Sequence, residues 1–304
     1  MQSNLQKPGM LNRSAIASEV GRPPKLWNKV PEVTMYFWII KVLATTIGET
    51  GADLLSEKLN LGLTYTSLIF SGVLLLVLLW QVRAKKYVPS LYWLAVVMIS
   101  VVGTLISDNL VDNLGVPLTV TTPLFAVAMA GAFVAWYASE KTLSIHTIFT
   151  RRRELFYWLA VLFTFALGTS GGDFLSEYLR WGYLNSTFIF AGAIALVTLA
   201  FYVLRINAVL AFWMAYVLTR PLGASVGDLL SQPRALGGYN LGTVETSAVF
   251  LAIITALVIY LTWTKIDAAV LNVVGEEPAR WRTETPAAEV VPVSDEEPPA
   301  VDPD

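Results

Sequence analysis

Eight apolar segments follow one another along this chain, and each is long enough to cross a membrane. They occupy approximately residues 33–55, 64–82, 91–111, 117–138, 154–178, 183–204, 208–231 and 242–264. A helix rises about 1.5 Å per residue, so each segment can span a hydrocarbon core of about 30 Å. None shows the alternating polarity of a barrel strand. The pattern predicts an all-α polytopic membrane protein with about eight transmembrane helices.

The composition narrows the possible chemistry. Of the 304 residues, 55% are hydrophobic and 14% are charged, whereas soluble domains carry about 25% charged residues. The chain contains no cysteine, which excludes disulfides and cysteine-ligated metal sites. Its single histidine, His146, lies in a predicted loop, so haem and histidine-based metal clusters are not expected. No cofactor is identifiable, the lipid bilayer is the predicted partner, nucleic-acid binding is not expected, and the oligomeric state stays open.

Lysine and arginine are distributed unequally between the predicted loops. The N-terminal segment, the loops 83–86 and 139–153, and Arg205 fall on one side of the membrane. The connections on the other side hold only Lys58, Arg180 and Arg234. By the positive-inside rule, the N- and C-termini are predicted to lie in the cytoplasm.

The two ends of the chain differ in charge. Residues 1–30 form a polar, basic segment that lacks the features of a cleaved signal peptide. Residues 267–304 are rich in proline, glutamate and aspartate, which predicts a disordered acidic cytoplasmic tail. A solubilising extension is the favoured interpretation of this tail, and a docking site for a cytoplasmic partner is the alternative.

Between these ends the chain is a four-fold tandem repeat, with units predicted at 31–88, 89–150, 151–206 and 207–266. In each unit a glycine follows a tryptophan by ten residues, and an aspartate follows the glycine by five. The tryptophans are Trp38, Trp93, Trp158 and Trp213, and the glycines are Gly48, Gly103, Gly168 and Gly223. The second apolar segment of each unit opens with a hydroxyl pair, namely Thr66-Ser67, Thr121-Thr122, Ser186-Thr187 or Thr246-Ser247.

This spacing in tandem two-helix units, preceded by the sequence KVPEVT at Lys29–Thr34, resembles a bacterial family known as domain of unknown function 347. Members of that family have four tandem repeats, each with two transmembrane segments and a characteristic tryptophan. The resemblance covers residues 29–264. It implies an eight-helix fold in the bacterial inner (cytoplasmic) membrane, and it implies no activity.

Because each unit contains two spans, all four units enter the membrane from the same side. Parallel repeats are related by an axis along the membrane normal, which predicts pseudo-two-fold or pseudo-four-fold symmetry. Small residues let helices approach closely, so the glycine-bearing first helices are predicted to lie near the axis and the second helices at the periphery. The tryptophans are interpreted as interfacial anchors, and the hydroxyl pairs as helix N-caps.

Ionisable side chains inside these spans mark the candidate site. The repeat places Asp53, Asp108, Asp173 and Asp228 near the ends of the first helices, and Glu49 adds a fifth carboxylate. Lys41 and Arg220 are candidate counter-charges, and Glu245, Thr45, Thr104 and Thr169 are secondary polar candidates. A charge within a span costs at least about 2.5–3.5 kcal/mol, so it usually faces a cavity or a partner. Such oxygen ligands favour a hard cation, namely Mg, Mn, Ca or an alkali ion.

Two functions from different classes follow from these features. The leading hypothesis is a transporter or channel that carries a small cation, divalent ions included, on intramembrane carboxylates, with proton coupling as a variant. The alternative is a non-transporting membrane scaffold or stress-response sensor, in which the aspartates are structural bridges. An enzyme is not predicted, because the chain has no catalytic motif in a fitting context.

Overall fold

The computed structural model describes residues 26–58, 62–268 and 270–271, and this part of the chain forms eight long helices. Their bounds are α1 Met35–Asp53, α2 Leu63–Arg83, α3 Pro89–Asp108, α4 Leu118–Glu140, α5 Arg151–Asp173, α6 Gly182–Val203, α7 Ala208–Ser231 and α8 Thr243–Thr264. The first helix of each unit runs from the repeat tryptophan to the repeat aspartate, and the second helix returns. We therefore name the two ends of the bundle the tryptophan end and the aspartate end. Nearly all of the predicted basic segment 1–30 and of the acidic tail lies outside the described residues.

Seven of these helices, α2 to α8, are long and apolar enough to cross a membrane, judged by length and composition alone. Helix α1 has 19 residues but carries Lys41 and Glu49, which lower its mean hydropathy. Both of these side chains are buried in the protein. The polar groups of α1 therefore face other helices rather than lipid, and the chain is a polytopic all-α membrane protein.

The helices form two layers around one axis. In the most apolar stretch of each helix, the share of residues that are buried is 61%, 61% and 56% for α3, α5 and α7. It is only 17%, 17%, 11% and 17% for α2, α4, α6 and α8. Helix α1 belongs to the inner layer, because it packs against α3 on one side and α7 on the other. The predicted arrangement, with first helices inside and second helices outside, is confirmed.

The repeat glycines close the inner layer into a ring. At each of them a Cβ atom would collide with the neighbouring first helix, so the close approach requires glycine. The four contacts are Gly48 with Ser100, Gly103 with Phe165, Gly168 with Arg220, and Gly223 with Thr45. In every case the partner stands three residues before the glycine of the next unit, and the last unit meets the first. The inner ring therefore has pseudo-four-fold symmetry, one of the two predicted alternatives.

Each second helix covers the first helix of the next unit, so that α2 packs on α3, α4 on α5, α6 on α7 and α8 on α1. The hydroxyl pairs contribute to this packing. Ser67 and Thr122 donate to carbonyls of α3 and α5, and Ser247 bonds to the Thr50 hydroxyl of α1 at 2.6 Å. The N-cap residues of the second helices make no side-chain capping bond. The N-cap interpretation is therefore wrong, because the pairs lie inside the helices and three of them bond to a neighbouring unit.

Three of the first helices continue beyond the repeat aspartate as a π-helical turn, at Leu54–Lys58, Asn109–Asn113 and Phe174–Tyr178. Such turns widen the helix and often occur at functional sites. In the fourth unit, the longer connection forms a 3₁₀ turn at Arg234–Leu236 instead. The backbone thus leaves α-helical geometry next to the aspartate in three of the four units.

Aromatic side chains fill the tryptophan end. Trp93, Trp158 and Trp213 are 1%, 3% and 5% exposed. Tyr92 and Tyr157 pack edge-on against Trp93 and Trp158, at centroid separations of 5.1 and 5.0 Å. The interpretation of these three tryptophans as lipid-facing interfacial anchors is wrong, because all three are buried against other parts of the protein, Trp213 against Trp136 of α4 among them.

A segment before α1 covers the tryptophan end. Strand β1, Leu26–Trp27, pairs antiparallel with β2, Val270–Leu271, so both ends of the described chain meet there. The Lys29 ammonium bonds to the Glu154 carboxylate at 2.7 Å, and both side chains are buried. The backbone of Glu32 donates to the carbonyl of Asp267 at 2.8 Å. These contacts fix the segment across the ring.

Candidate functional site

Arg220 lies inside the ring, and its side chain is completely buried. Its position follows from the repeat, because it stands three residues before Gly223 and packs against Gly168 of the preceding unit. At the equivalent positions the other units carry Thr45, Ser100 and Phe165. The ring therefore brings one guanidinium into a layer whose other side chains are small or aromatic.

The guanidinium of Arg220 connects all four inner helices. Nη1 donates to the carbonyl of Thr45 at 3.1 Å, and Nη2 donates to Glu49 Oε2 at 3.0 Å. Nη2 also donates to the hydroxyl of Thr104 and, at 2.6 Å, to that of Thr169. Glu49, Thr104 and Thr169 each directly follow a repeat glycine, so they form one polar layer.

Three carboxylates converge beside this layer, toward the aspartate end. One carboxylate oxygen each from Glu49, Asp173 and Asp228 lies within 4.8 Å of the other two. Oxygen ligands contact Mg²⁺ or Ca²⁺ at about 2.0–2.6 Å, so ligands on opposite sides of one ion are about twice that distance apart. These three residues, contributed by α1, α5 and α7, could therefore hold one cation together. We name them the acidic cluster.

The remaining two repeat aspartates lie near the acidic cluster. Asp108 experiences electrostatic repulsion from Glu49, Asp173 and Asp53, and Asp53 also acts on Asp228. All four repeat aspartates and Glu49 thus share one region of the bundle. Within the described part of the chain, the side chains of Asp108, Asp173 and Asp228 make no hydrogen bond. The structure consequently gives these three no bridging partner, and ion binding by the carboxylates stays a prediction.

Lys41 lies on the other side of Arg220, toward the tryptophan end. It is completely buried, and its Nζ is 4.0 Å from the centre of the Phe165 ring and 4.2 Å from that of Tyr216. Neither ring offers an oxygen acceptor to the ammonium through its face. Lys41 is therefore not bonded to the acidic cluster, and it does not serve as the cluster's direct counter-charge.

The other predicted residues have different positions. Asp53 is half-buried, and its carboxylate accepts a hydrogen bond from Gln232 at 3.4 Å. The Thr45 hydroxyl bonds to carbonyls of Val42 and Thr219, so only its backbone oxygen contacts Arg220. Glu245 is exposed in the first turn of α8, outside the acidic cluster.

Sequence reasoning missed Phe165 and Tyr216, the two rings that hold Lys41. Both resemble ordinary apolar core residues in a hydrophobic span. A position-by-position comparison of the repeats could have found Tyr216, because it follows Trp213 by three residues just as Lys41 follows Trp38. Phe165 is likewise equivalent to Arg220, which places it in the same layer as a charged residue.

Comparison with known protein families identifies the repeat. A family model described as Repeat of Unknown Function (DUF347) matches the chain four times, over residues 36–87, 91–142, 156–207 and 211–267. Each match contains one tryptophan-to-aspartate helix and its returning helix, and the resemblance seen in the sequence is confirmed. No curated protein and no solved structure matches the chain.

Proposed function

The chain belongs to the DUF347 repeat family, and we propose that it is a membrane transporter for a small cation bound by the acidic cluster. The observation that carries this proposal is the convergence of Glu49, Asp173 and Asp228 within 4.8 Å inside the helix ring. Ionised carboxylates held this close repel one another, and a low-dielectric surrounding strengthens the repulsion. A bound cation removes that repulsion, so the cluster favours a cation over a neutral or anionic solute.

The local charge balance also supports a cation. The carboxylates of Asp108 and Glu177 act electrostatically on members of the acidic cluster, and Arg220 forms an ion pair with Glu49. The described residues of this region offer carboxylate and hydroxyl oxygens as donor atoms, and no histidine or cysteine is among them. This donor set fits Mg²⁺, Mn²⁺, Ca²⁺ or an alkali ion better than Zn²⁺ or Cu²⁺.

The route beyond the cluster is blocked, which supports a carrier rather than an open channel. Arg220 bridges the four inner helices, and Phe165 and Lys41 lie behind it. A cation that moves toward the tryptophan end must therefore displace the guanidinium from Glu49. Competition between the ion and Arg220 for one carboxylate gives the protein two arrangements, as alternating access requires.

The proposed location is the bacterial inner membrane, with the tryptophan end in the cytoplasm. Basic residues at the tryptophan end support this orientation: Arg83, Lys85, Lys86, Lys141, Arg151, Arg152, Arg153, Arg205 and Lys265. In the described connections at the aspartate end, far fewer basic residues occur. An excess of lysine and arginine marks the cytoplasmic side of membrane proteins.

Ion-dependent thermal stability of the purified protein in detergent tests the binding step. Chlorides of Mg²⁺, Mn²⁺, Ca²⁺, Na⁺ and K⁺ are compared at equal ionic strength. A ligand at 100 times its Kd stabilises the fold by about 2.7 kcal/mol. We expect one of these ions to raise the Tm of the wild type, and we expect Asp173→Asn and Asp228→Asn to abolish the increase.

Glu245→Gln is the matched control, because it removes an exposed carboxylate near the same end of the bundle. Its ion-dependent increase in Tm should equal that of the wild type. An increase that persists in both asparagine variants would exclude the acidic cluster as the binding site. The absence of any ion-dependent increase in the wild type would contradict the proposed function itself.

A further inference from the structure

Lys41 is a buried ionisable group that the cation site does not use. Its Nζ makes no hydrogen bond with any residue in the described part of the chain. The faces of Phe165 and Tyr216 attract an ammonium, but they replace only part of the hydration it loses on burial. A lysine that stayed charged at all times would need an oxygen acceptor here. The geometry therefore suits an amine that gains and loses a proton.

A second positive charge lies close to Lys41. The Lys41 ammonium and the Arg220 guanidinium approach the same Phe165 ring, at 4.0 and 5.6 Å from its centroid, so their like charges repel. On α1 itself, the nearest charged residue along the helix toward the aspartate end is Glu49, about 12 Å away at 1.5 Å per residue. The equivalent and facing positions of the other inner helices carry Val96, Val161, Phe165 and Tyr216.

A line of buried tyrosines leads from Lys41 toward the tryptophan end. The ring of Tyr216 contacts Lys41, and in the described part of the chain the Tyr216 hydroxyl makes no hydrogen bond. The hydroxyls of Tyr92 and Tyr157 are hydrogen-bonded to each other at 2.5 Å. The ring of Tyr87 follows, with its centroid 5.7 Å from that of Tyr92. A phenol hydroxyl both donates and accepts, so each can pass a proton on.

The line of tyrosines ends at a carboxylate. The Tyr87 hydroxyl donates to Asp267 Oδ2 at 2.6 Å. Asp267 follows α8, outside the membrane-spanning segments, and it is 1% exposed. Burial raises the pKa of Asp267 above its usual range, which makes its carboxylate a better proton acceptor.

We propose that Lys41 is the proton-binding group that couples cation movement to proton movement, and that the four tyrosines conduct its proton to Asp267. The proposal rests on the proposed function, because it takes the acidic cluster as the cation site. Among these groups the structure shows two hydrogen bonds, Tyr92–Tyr157 and Tyr87–Asp267, so transfer from Lys41 requires Tyr216 and Tyr87 to turn their hydroxyls toward their neighbours. Each hydroxyl then accepts a proton on one side and releases its own on the other. One N–H bond therefore breaks at Lys41, one O–H bond forms at Asp267, and no electron is transferred. Loss of the proton from Lys41 offsets the positive charge of an entering cation. The proton on Lys41 and the cation at the acidic cluster therefore exclude each other.

The test uses the full-length protein in vesicles of phosphatidylethanolamine and phosphatidylglycerol that contain the pH dye pyranine. Uptake of Mg²⁺, Mn²⁺, Ca²⁺ and Na⁺ is measured by mass spectrometry, with and without an imposed pH gradient. We expect wild-type uptake to depend on the gradient and to change the internal pH. Lys41→Met is always neutral and Lys41→Arg always charged, so both should lose this dependence. Tyr157→Phe should slow the coupled proton flux about a hundredfold, as when a positioned proton-transfer group is lost.

Lys141→Met and Tyr202→Phe are the matched controls, because both side chains are exposed; their coupling should equal that of the wild type. An unchanged ion-dependent increase in Tm verifies that each Lys41 variant is folded. A merely structural Lys41 would lower the uptake rate but preserve its dependence on pH. That result, or wild-type uptake without any pH dependence, would overturn the proton-coupling proposal and leave the proposed function intact. No cation uptake by the wild type would overturn both.

Discussion

At the scale of single residues, Arg220 and Glu49 form an ion pair in the interior of a membrane protein. The distance between Arg220 Nη2 and Glu49 Oε2 is 3.0 Å, and the side chains are 0% and 8% exposed. Removal of one partner from a buried pair leaves an uncompensated charge, and this costs more than the pair itself contributes. The threonine hydroxyls of the same layer cannot replace the lost charge.

A double-mutant cycle measures this coupling. We expect Glu49→Gln and Arg220→Met each to lower the free energy of unfolding by about 3–5 kcal/mol. The double variant should lose less than the sum of the two, because it leaves neither charge without its partner. Arg152→Met is the control, since Arg152 is 71% exposed where it meets Glu140, and its loss should cost less than about 1 kcal/mol. Additive effects at Arg220 and Glu49 would show that the two residues are not paired.

At the scale of helices, the repeat glycine determines how closely the inner helices approach. A Cβ at Gly103 would collide with the side chain and backbone of Phe165, whereas a Cβ at Gly131 on the outer helix α4 has no neighbour within 4 Å. Both glycines are mid-helix, so the change in helix propensity is similar at the two positions.

We therefore expect Gly103→Val to lower the unfolding free energy by about 1–3 kcal/mol or more, as overpacking does. Gly131→Val should have little effect, because its side chain points into open space at the outer face. Thermal unfolding in detergent compares the two variants. Equal losses of stability in both would contradict the inner ring of close contacts.

Much of this helical architecture could be predicted from the sequence, because the repeat spacing identifies equivalent positions. It identified the inner helices through Gly48 and its equivalents, and it identified the candidate site through charged residues in apolar segments. Knowing which positions are equivalent in the repeats does not show, however, which helices are neighbours in the fold. The packing of each second helix on the next unit, and the burial of Trp93, depend on how the ring closes. Phe165 and Tyr216 were missed because an aromatic residue beside a buried ammonium has the same hydrophobic pattern as a core residue.

At the scale of the whole molecule, a nearly symmetric backbone carries an asymmetric set of side chains. One layer holds Glu49, Thr104, Thr169 and Ala224, and the layer beside it holds Thr45, Ser100, Phe165 and Arg220. Four identical units would place only like-charged aspartates around the axis. Glu49 and Arg220 break this symmetry, because they add an ion pair beside Asp173 and Asp228, where we propose that a cation binds.

Anomalous X-ray scattering from crystals soaked in Mn²⁺, and separately in Tl⁺ as a substitute for alkali ions, tests the cation site most directly. The proposed function predicts one strong peak, with oxygen atoms of Glu49, Asp173 and Asp228 at coordination distances of about 2.0–2.6 Å for a divalent ion. The peak should vanish in Asp228→Asn crystals. Peaks confined to other parts of the protein, or no peak at saturating concentrations of both ions, would contradict a cation site inside the helix ring.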